Sequence, residues 1–361
     1  MRAPASVVIM AGGTGGHVFP ALAVADVLRE RGHHVAWIGT RRGLEARIVP
    51  DAGIPIEWIE VGGVRGKGAG ALLKSPFTLI RAVSQVLAIL RRLRPAAALG
   101  MGGFASGPGG LAARLLSCPL VLHEQNTVPG ITNRVLSHLA TRVLEGFPDS
   151  FPAARRAEYV GNPVRISIAS LPAPATRFAG RTGPIRLLVV GGSQGARVLN
   201  QTVPLLMARL DKNLRPEIWH QTGREEAQSV TAAYREQHVA ARVQPFIDNM
   251  AEAYAWADLA LCRSGALTVA ELAAAGLGAL LVPFAAAVDD HQTRNAQFLA
   301  GAGAAELLPQ SRFTVADALP LLQRLLRDRA VLLDMAAHAR TLARADAADK
   351  VADVCLAVGG M

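Results

Sequence analysis

The chain alternates short apolar runs with longer segments in which apolar residues recur at helical spacing. Runs of a few apolar residues bounded by glycine or proline predict buried strands, and the amphipathic segments between them predict covering helices. This alternation is typical of an α/β protein built on parallel sheets. Strands are predicted at residues 7–10, 35–38, 96–99, 120–122, 187–190, 217–219, 259–261 and 280–282.

One unit of strand, glycine-rich turn and helix occurs twice, half a chain apart. The strand at 7–10 runs into GGTGGH at 12–17, and the strand at 187–190 runs into GGSQG at 191–195. A repeated unit of this kind predicts two similar Rossmann-like domains. The connection between them is rich in glycine and proline, as a domain boundary is. We expect ligands at the carboxyl ends of the strands, in a cleft between two domains of residues 1–163 and 164–344.

Composition agrees with this organisation. The 361 residues suffice for two cores, and an apolar content of 51% argues against disorder. The apolar N-terminal run is too short for a secretion signal, and glycines and a proline interrupt the apolar stretch at 270–288, which favours a helix end and a strand over a membrane span. Three widely spaced cysteines predict neither disulfides nor a zinc site: Cys118, Cys262 and Cys355.

A glycine turn at a helix N-terminus lets a ligand approach free backbone N–H groups, which suits a diphosphate. The alternative is that these glycines only make tight turns. A nicotinamide dehydrogenase is a further alternative, but neither loop completes G-x-G-x-x-G. Residues 40–42 (TRR) stand where an NAD site places an acidic residue, so an NADP-dependent oxidoreductase stays open.

Other polar and glycine-rich segments follow predicted strands. Residues 100–110 are glycine-rich, which suggests a backbone moulded against something bulky, and HEQN at 123–126 ends another strand. After the strand at 259–261, residues 263–271 (RSGALTVAE) predict a helix start. Its first amides and the Thr268 hydroxyl are suited to phosphate oxygens. The Glu271 carboxylate is suited to both ribose hydroxyls, although it also complements the helix dipole.

Gln292 and Asn295 are three residues apart, so they share one helical face and are candidates to bond sugar hydroxyls. The sequence has no D-x-D triplet and no metal-ligand spacing that stands out. We therefore expect no metal and no cofactor. A diphosphate leaving group would be stabilised by helix N-termini, hydroxyls and arginine.

The net charge of +10 is concentrated in part at residues 65–94, which contain no acidic residue. Apolar residues recur at helical spacing within this segment, which predicts a helix that contacts an anionic membrane surface. The alternative is a buried helix with a solvated basic rim. No nucleic-acid motif accompanies the charge, so nucleic acid is not expected as a partner. The basic residues are Arg65, Lys67, Lys74, Arg81, Arg91, Arg92 and Arg94.

Seven strings, taken together and in order, resemble the MurG family of peptidoglycan N-acetylglucosaminyltransferases. They are GGTGGH (12–17), GMGGF-SGPGG (100–110), HEQN (123–126), GNPVR (161–165), GGSQGA (191–196), CRSGALTVAEL (262–272) and DDHQ..NA (289–296). The resemblance weakens after about Pro309. It implies a GT-B fold with an acceptor-binding, membrane-associated domain at 1–163 and a UDP-GlcNAc-binding domain at 164–344. A last helix at about 345–361 would pack back on the first domain.

The resemblance also implies the reaction. GlcNAc would pass from UDP-GlcNAc to the muramyl 4-hydroxyl of lipid I with inversion, forming lipid II at the cytoplasmic face of the bacterial inner membrane, where the protein is peripheral and part of a cell-wall synthesis complex. We assign the general base to His17, with Glu124 as the reserve; alternatively, His17 packs the loop and binds the acceptor diphosphate. The rivals are a GT-B transferase with another sugar or acceptor and a non-catalytic scaffold.

The resemblance implies roles for individual residues as well. Ser193 and Thr268 would contact the diphosphate, Glu271 the ribose, and the Ile247 backbone the uracil. The first domain would line the cleft with Thr14, Gly15, Gly16 and Asn126. The donor site would further include Arg165, Arg263, Ala266, Leu267, Val269, Ala270, Gln292 and Asn295. One departure is the wholly apolar segment 284–288, where relatives often have polar residues, which puts one edge of the sugar pocket in question.

Overall fold

A computed structural model describes residues 6–61, 69–192, 194–285 and 290–361, with side chains from Phe77 onward in the helix that begins at Ala69. The chain divides into two compact units. The first domain comprises Met1–Arg165 together with Arg344–Met361, and the second comprises Ile166–Ala343.

The first domain is built on a seven-stranded parallel sheet in the order β3-β2-β1-β4-β5-β6-β7. The central strand β1 pairs with β2 on one side and β4 on the other, so that Val7 lies beside both Val35 and Ala97. All four β1 side chains are buried, because helices cover both faces of the sheet. The strands are β1 (Val7–Met10), β2 (Val35–Gly39), β3 (Ile56–Trp58), β4 (Ala97–Gly100), β5 (Leu120–Glu124), β6 (Arg142–Glu145) and β7 (Glu158–Tyr159). The first five helices are α1 (Gly15–Glu30), α2 (Glu45–Asp51), α3 (Ala69–Leu93), α4 (Ser106–Leu115) and α5 (Ile131–Leu136).

The second domain repeats this plan on a six-stranded parallel sheet in the order β10-β9-β8-β11-β12-β13. Its strands are β8 (Arg186–Val190), β9 (Glu217–Gln221), β10 (Arg242–Gln244), β11 (Leu259–Cys262), β12 (Ala279–Leu281) and β13 (Ala305–Leu307). Its helices are α6 (Ile166–Ala169), α7 (Pro174–Phe178), α8 (Arg197–Arg209), α9 (Ala227–Glu236), α10 (Met250–Trp256), α11 (Ala266–Ala275), α12 (His291–Ala300), α13 (Val315–Arg327) and α14 (Arg329–Thr341).

The last helix, α15 (Ala347–Gly359), returns to the first domain and packs on α1. Val351 and Cys355 are wholly buried in this contact. At its rim, the Arg31 guanidinium donates to the Asp349 and Asp353 carboxylates at 2.6 and 2.5 Å. These three side chains are partly exposed, so apolar burial contributes more than the ion pairs to holding α15 in place.

The prediction of an α/β protein with parallel sheets is confirmed. All eight predicted strands are present, with ends that differ by at most two residues. Five further strands were not predicted, and all lie at or next to a sheet edge: β3, β6, β7, β10 and β13. The apolar stretch at 270–288 contains the end of α11 and then β12, as expected. Within the described residues, no helix combines the length and apolar character needed to cross a bilayer.

Candidate functional site

Each sheet has one point at which the strand order reverses, between β1 and β4 in the first domain and between β8 and β11 in the second. Ligands of doubly wound sheets bind beside such a point, at the carboxyl ends of the strands. The motifs from the sequence lie there. Residues 12–17 follow β1 and residues 100–110 follow β4, while residues 191–196 follow β8 and residues 263–271 follow β11. Each domain therefore has a pair of candidate ligand loops at its switch point.

The two glycine-rich segments of the first domain interlock. A Cβ atom on Gly103 would lie 2.1 Å from the Gly12 carbonyl oxygen, and a Cβ atom on Gly102 would lie 2.6 Å from Cδ2 of His17. Both glycines have positive φ angles, 81° and 92°. Ser106 adds a hydrogen bond from its buried hydroxyl to the Met10 carbonyl at 2.7 Å. The backbone at 100–110 is thus moulded against the first glycine loop.

His17 lies in the first turn of α1 and is partly buried. Burial lowers the pKa of His17 from its ordinary value of 6.5, and the charge of Glu124, a hydrogen bond with the Gly12 backbone and the charge of Glu45 partly offset this effect. Its Nδ1 atom is buried and has no hydrogen-bond partner among the described residues. A histidine with a lowered pKa is neutral near pH 7, which is the form that accepts a proton.

Glu124, at the end of β5, is buried and organises the loop that follows. Its Oε1 accepts hydrogen bonds from the Asn126 backbone N–H and side-chain amide at 2.9 and 3.2 Å. Its Oε2 accepts from the Gly130 N–H and the Asn133 amide at 3.2 and 2.7 Å. A carboxylate that already accepts four hydrogen bonds is poorly placed to take a substrate proton, and this favours His17 over Glu124 as a base.

His123, beside Glu124, joins two motifs inside the first domain. Its Nε2 bonds the Gly161 carbonyl at 2.9 Å, and the Gln125 amide contacts its Nδ1 at 3.1 Å. The Asn162 amide in turn donates to the Gln125 carbonyl at 2.9 Å. Burial lowers the pKa of His123 to about 4. We therefore regard His123 as a structural link between HEQN and GNPVR.

Glu45, the first residue of α2, is buried beside the first glycine loop, and no sequence motif indicated it. Its carboxylate accepts hydrogen bonds from the Gly13 N–H at 2.9 Å and from the Thr40 N–H and hydroxyl at 3.0 and 2.8 Å. Gly12 and Gly43 pack closely against this carboxylate. A Cβ atom on Gly12 would lie 2.5 Å from Oε1 of Glu45, and a Cβ atom on Gly43 would lie 1.9 Å from Oε2. Glu45 thereby holds the first glycine loop to the turn after β2.

The remaining first-domain residues surround the start of α1. Thr14 is exposed at the N-cap, and Gly15 and Gly16 are partly exposed at the first helical positions, where N–H groups have no intrahelical acceptor. The Arg165 guanidinium lies over the Phe19 ring, 5.1 Å from its centroid. A positively charged side chain and free amide donors therefore share this end of α1.

In the second domain, helix α11 begins directly after the turn at Ser264 and Gly265, as the sequence predicted. The first positions are Ala266, Leu267 and Thr268, followed by Val269 and Ala270. Glu271 comes one turn after Leu267 in the same helix, about 6 Å further along the helix axis, and its side chain is nearly buried.

Helix α12 braces this turn. The Ser264 hydroxyl donates to the Gln292 carbonyl at 2.8 Å, and the Asn295 amide donates to the Ser264 carbonyl at 3.2 Å. The Gln292 side-chain oxygen accepts from the Phe284 N–H at 2.9 Å. Arg263 donates to the carbonyls at the end of β12 at 3.0 and 3.2 Å. Asn295 is wholly buried, and the hydrogen bond to Ser264 given above is to an atom of the protein itself.

Ile247 and Ser193 are the remaining residues predicted for the donor site. Ile247 is nearly buried between β10 and α10. Ser193 and residues 286–289, which include most of the departure from the family pattern, lie outside the described residues. Among the described residues, no group of three or more histidine, cysteine or acidic side chains is arranged to hold a metal ion.

The predicted membrane segment forms helix α3 from Ala69 onward. Arg65, Lys67 and the Lys74 side chain lie outside the described part of the chain. Arg81 and Arg92 pair at 2.7 Å with Glu60 and Glu57, which precede the segment. Helix α4 packs against both α3 and α5, and the three helices expose large apolar side chains. This α3–α5 surface comprises Phe77, Ile80, Leu115, Ile131 and Val135.

Models of one glycosyltransferase family match both domains of the chain. Residues 7–145 match the glycosyltransferase family 28 N-terminal domain, and residues 186–351 match the C-terminal domain of the same family. The chain is 56% identical over 352 residues to the UDP-N-acetylglucosamine–N-acetylmuramyl-(pentapeptide) pyrophosphoryl-undecaprenol N-acetylglucosamine transferase of Nitrosococcus oceani, covering 98% of both chains. It is 56% identical over 350 residues to the enzyme of the same name from Alkalilimnicola ehrlichii, covering 97% of this chain and 98% of that one.

Among solved structures, the crystal structure of Acinetobacter baumannii MurG superimposes with a TM-score of 0.84 at 41% identity, over 98% of this chain and 100% of that one. The expected GT-B class is confirmed, and the oxidoreductase and scaffold alternatives are excluded. Matches over both domains, at identities far above 30%, fix the family. The chain belongs to glycosyltransferase family 28 and, within it, to the MurG group of N-acetylglucosaminyltransferases.

Proposed function

We propose that this chain transfers GlcNAc from UDP-GlcNAc to the muramyl 4-hydroxyl of lipid I, forming lipid II for peptidoglycan synthesis. The observation that carries the proposal is the start of α11, where the first amide donors and, one helical turn later in the chain, Glu271 follow the strand at a switch point. The names of the close relatives support the same donor and acceptor.

The second domain binds the donor in this proposal. The N–H groups of Ala266 and Leu267 and the Thr268 hydroxyl bind the diphosphate, assisted by the helix dipole and by Ser193. Glu271 accepts hydrogen bonds from the ribose hydroxyls. The Ile247 backbone binds uracil, and Arg263, Val269, Ala270, Gln292 and Asn295 complete the donor site of this domain. Arg165 of the first domain adds a positive charge to the donor site. Charge that develops on the leaving UDP is stabilised by these fixed donors.

The first domain binds the lipid-linked acceptor in this proposal, beside Thr14, Gly15, Gly16 and Asn126. The muramyl 4-hydroxyl loses its proton to His17 as its oxygen attacks the anomeric carbon from the side opposite to UDP, which inverts the configuration. The lowered pKa of His17 supports this role because the ring is then neutral near pH 7. Its Nδ1 atom is buried but has no hydrogen-bond partner among the described residues, so this nitrogen is not already committed to another group.

Acceptor-dependent UDP release tests the function. With UDP-GlcNAc and a lipid I analogue, the wild-type protein should release UDP, and UDP-glucose should compete weakly. Glu271→Ala should reduce kcat/KM by about tenfold to a hundredfold, because a charged hydrogen-bond acceptor for the ribose is lost. UDP release that does not depend on the acceptor, or that prefers UDP-glucose, would point to a transferase with different substrates.

We further propose that the α3–α5 surface docks on anionic lipid at the cytoplasmic face of the bacterial inner membrane, where a cell-wall synthesis complex uses the product. Its exposed apolar side chains can enter the interface, and the basic residues of α3 are attracted to lipid head groups. Each basic residue near such a surface contributes about 1 kcal/mol.

Vesicle binding tests this second proposal. Replacing both Phe77 and Ile80 by Asp should abolish salt-sensitive binding to phosphatidylglycerol vesicles. Leu205→Asp is the matched control, since Leu205 is an exposed apolar residue on α8 of the second domain. Equal binding by both variants would exclude the α3–α5 surface as the membrane contact.

A further inference from the structure

Tyr254 lies on α10 and is almost wholly buried, with 2% of its surface exposed. Its hydroxyl donates a hydrogen bond to Oε2 of Glu271 at 3.0 Å. Helices α10 and α11 pack against each other, so this bond joins two neighbouring elements of the second domain. No sequence motif indicated Tyr254, because it is 17 residues from Glu271 along the chain.

The position of Tyr254 is itself fixed by a hydrogen bond from Arg177. The Arg177 guanidinium donates to the Tyr254 carbonyl at 3.0 Å and to the Ala275 carbonyl at 2.6 Å. These carbonyls lie near the C-terminal ends of α10 and α11, respectively. One arginine therefore holds the ends of both helices, and the Tyr254 hydroxyl is presented to Glu271 by a rigid support.

We propose that Tyr254 is a positioning residue that orients the Glu271 carboxylate and thereby makes the enzyme select ribose over 2′-deoxyribose in its nucleotide donor. The inference rests on the proposed function, in which Glu271 binds the ribose. The terminal torsion of a glutamate is broad, so the plane of an unsupported carboxylate is poorly defined. Two hydroxyls on adjacent ribose carbons require a carboxylate in one fixed orientation.

The hydrogen bond between Tyr254 and Glu271 has a defined direction. An ionised carboxylate only accepts hydrogen bonds, so the Tyr254 hydroxyl is the donor. Phenylalanine fills the same volume without that donor, and Tyr254→Phe therefore removes the orientation with little change in packing. A hydroxyl that merely satisfied a buried group would affect stability and leave ribose selection unchanged.

The experiment compares kcat and KM for UDP-GlcNAc and for its 2′-deoxyribose analogue. The variants are Tyr254→Phe, Glu271→Ala and the control Tyr234→Phe. Tyr234 suits as the control because it is also buried in the second domain and its hydroxyl bonds Nδ1 of His220 at 2.9 Å, away from Glu271. Thermal unfolding of each variant reports the cost of losing a buried hydroxyl.

We expect Tyr254→Phe to raise KM for UDP-GlcNAc about tenfold with kcat nearly unchanged, and to reduce the preference for ribose by a similar factor. Tyr234→Phe should keep the wild-type preference. If Glu271→Ala loses the preference while Tyr254→Phe keeps it, Tyr254 does not orient the carboxylate, and the ribose site stands. If Glu271→Ala also keeps the preference, the ribose site and this inference both fail.

Discussion

His17 and Glu124 illustrate how the immediate surroundings of a residue decide its chemistry. Both lie at the carboxyl end of the first sheet, and both are candidates for the general base. The oxygens of Glu124 already accept hydrogen bonds from the loop that it organises. His17 has a ring nitrogen with no partner among the described residues and a pKa below its ordinary value. We therefore propose His17, and not Glu124, as the proton acceptor.

Replacing His17 by Ala should lower kcat by about 10²–10⁴-fold at saturating substrates, the usual contribution of a general base. Because burial lowers the pKa of His17, the wild-type rate should begin to fall only below about pH 6.5, where the ring becomes protonated and can no longer accept a proton. His34→Ala, at an exposed position of the same domain, is the control. A His17→Ala protein with nearly full kcat would refute the assignment.

The sequence motifs identified the candidate ligand-binding residues. They did not identify the distant side chains that hold those residues in place. Glu45 meets Gly13 across 32 residues of chain, and Tyr254 meets Glu271 across 17. Such contacts arise from the packing of separate elements, and no local pattern records which distant side chain fills the space beside a glycine. The motif residues were found because their chemistry is clustered along the chain, whereas the supporting residues stand alone.

At the scale of elements, the glycine-rich turn after β4 requires residues that have no side chain, because it packs closely against the first glycine loop. Gly103→Ala would force its Cβ atom to 2.1 Å from the Gly12 carbonyl oxygen at a φ angle of 81°. We expect the first domain to lose about 2 kcal/mol or more of unfolding free energy, with loss of activity as the first glycine loop moves.

Gly107→Ala is the matched control in the same segment. Gly107 lies in α4, and its added Cβ atom would meet Thr132 at an ordinary distance of 3.5 Å. Alanine in a helix is favoured over glycine by about 0.5–1 kcal/mol, so this variant should be at least as stable as the wild type. Urea unfolding measures both changes. Equal stability of the two variants would contradict the interlocked arrangement of the loops.

Strands differed in how well the sequence predicted them, for a physical reason. The central strand β1 is buried on both faces and reads as a continuous apolar run. The edge strands β7 (Glu158–Tyr159) and β10 (Arg242–Gln244) have two or three residues and polar side chains, so neither length nor periodicity distinguishes them from loops. Their pairing is decided by the neighbouring strand.

On the scale of the whole molecule, each domain contains a histidine whose side chain is wholly buried, His123 in the first and His220 in the second. Burial lowers the pKa of His123 to about 4 in the first domain and that of His220 to about 3 in the second. In the unfolded chain both rings bind a proton near pH 6.5. The unfolded state therefore gains protons first as the pH falls, and both domains should lose stability progressively from about pH 6.5 toward pH 4.

Thermal unfolding between about pH 7.5 and pH 5 checks this expectation. His220→Asn should be less stable than the wild type near neutral pH, because its hydrogen bonds with Tyr234 and Asn200 are altered. Its second domain should, however, depend less on pH over this range. The same pH dependence in the variant as in the wild type would show that His220 does not contribute.

The proposed reaction adds one GlcNAc residue to a lipid-linked muramyl acceptor. Mass spectrometry and proton NMR of the lipid product, formed from UDP-GlcNAc and a lipid I analogue, measure this transfer and its linkage. We expect an acceptor that gains a single GlcNAc residue through a β(1→4) bond, with the yield greatly reduced by His17→Ala and by Glu271→Ala. An unmodified acceptor, or a product with an α linkage, would contradict it.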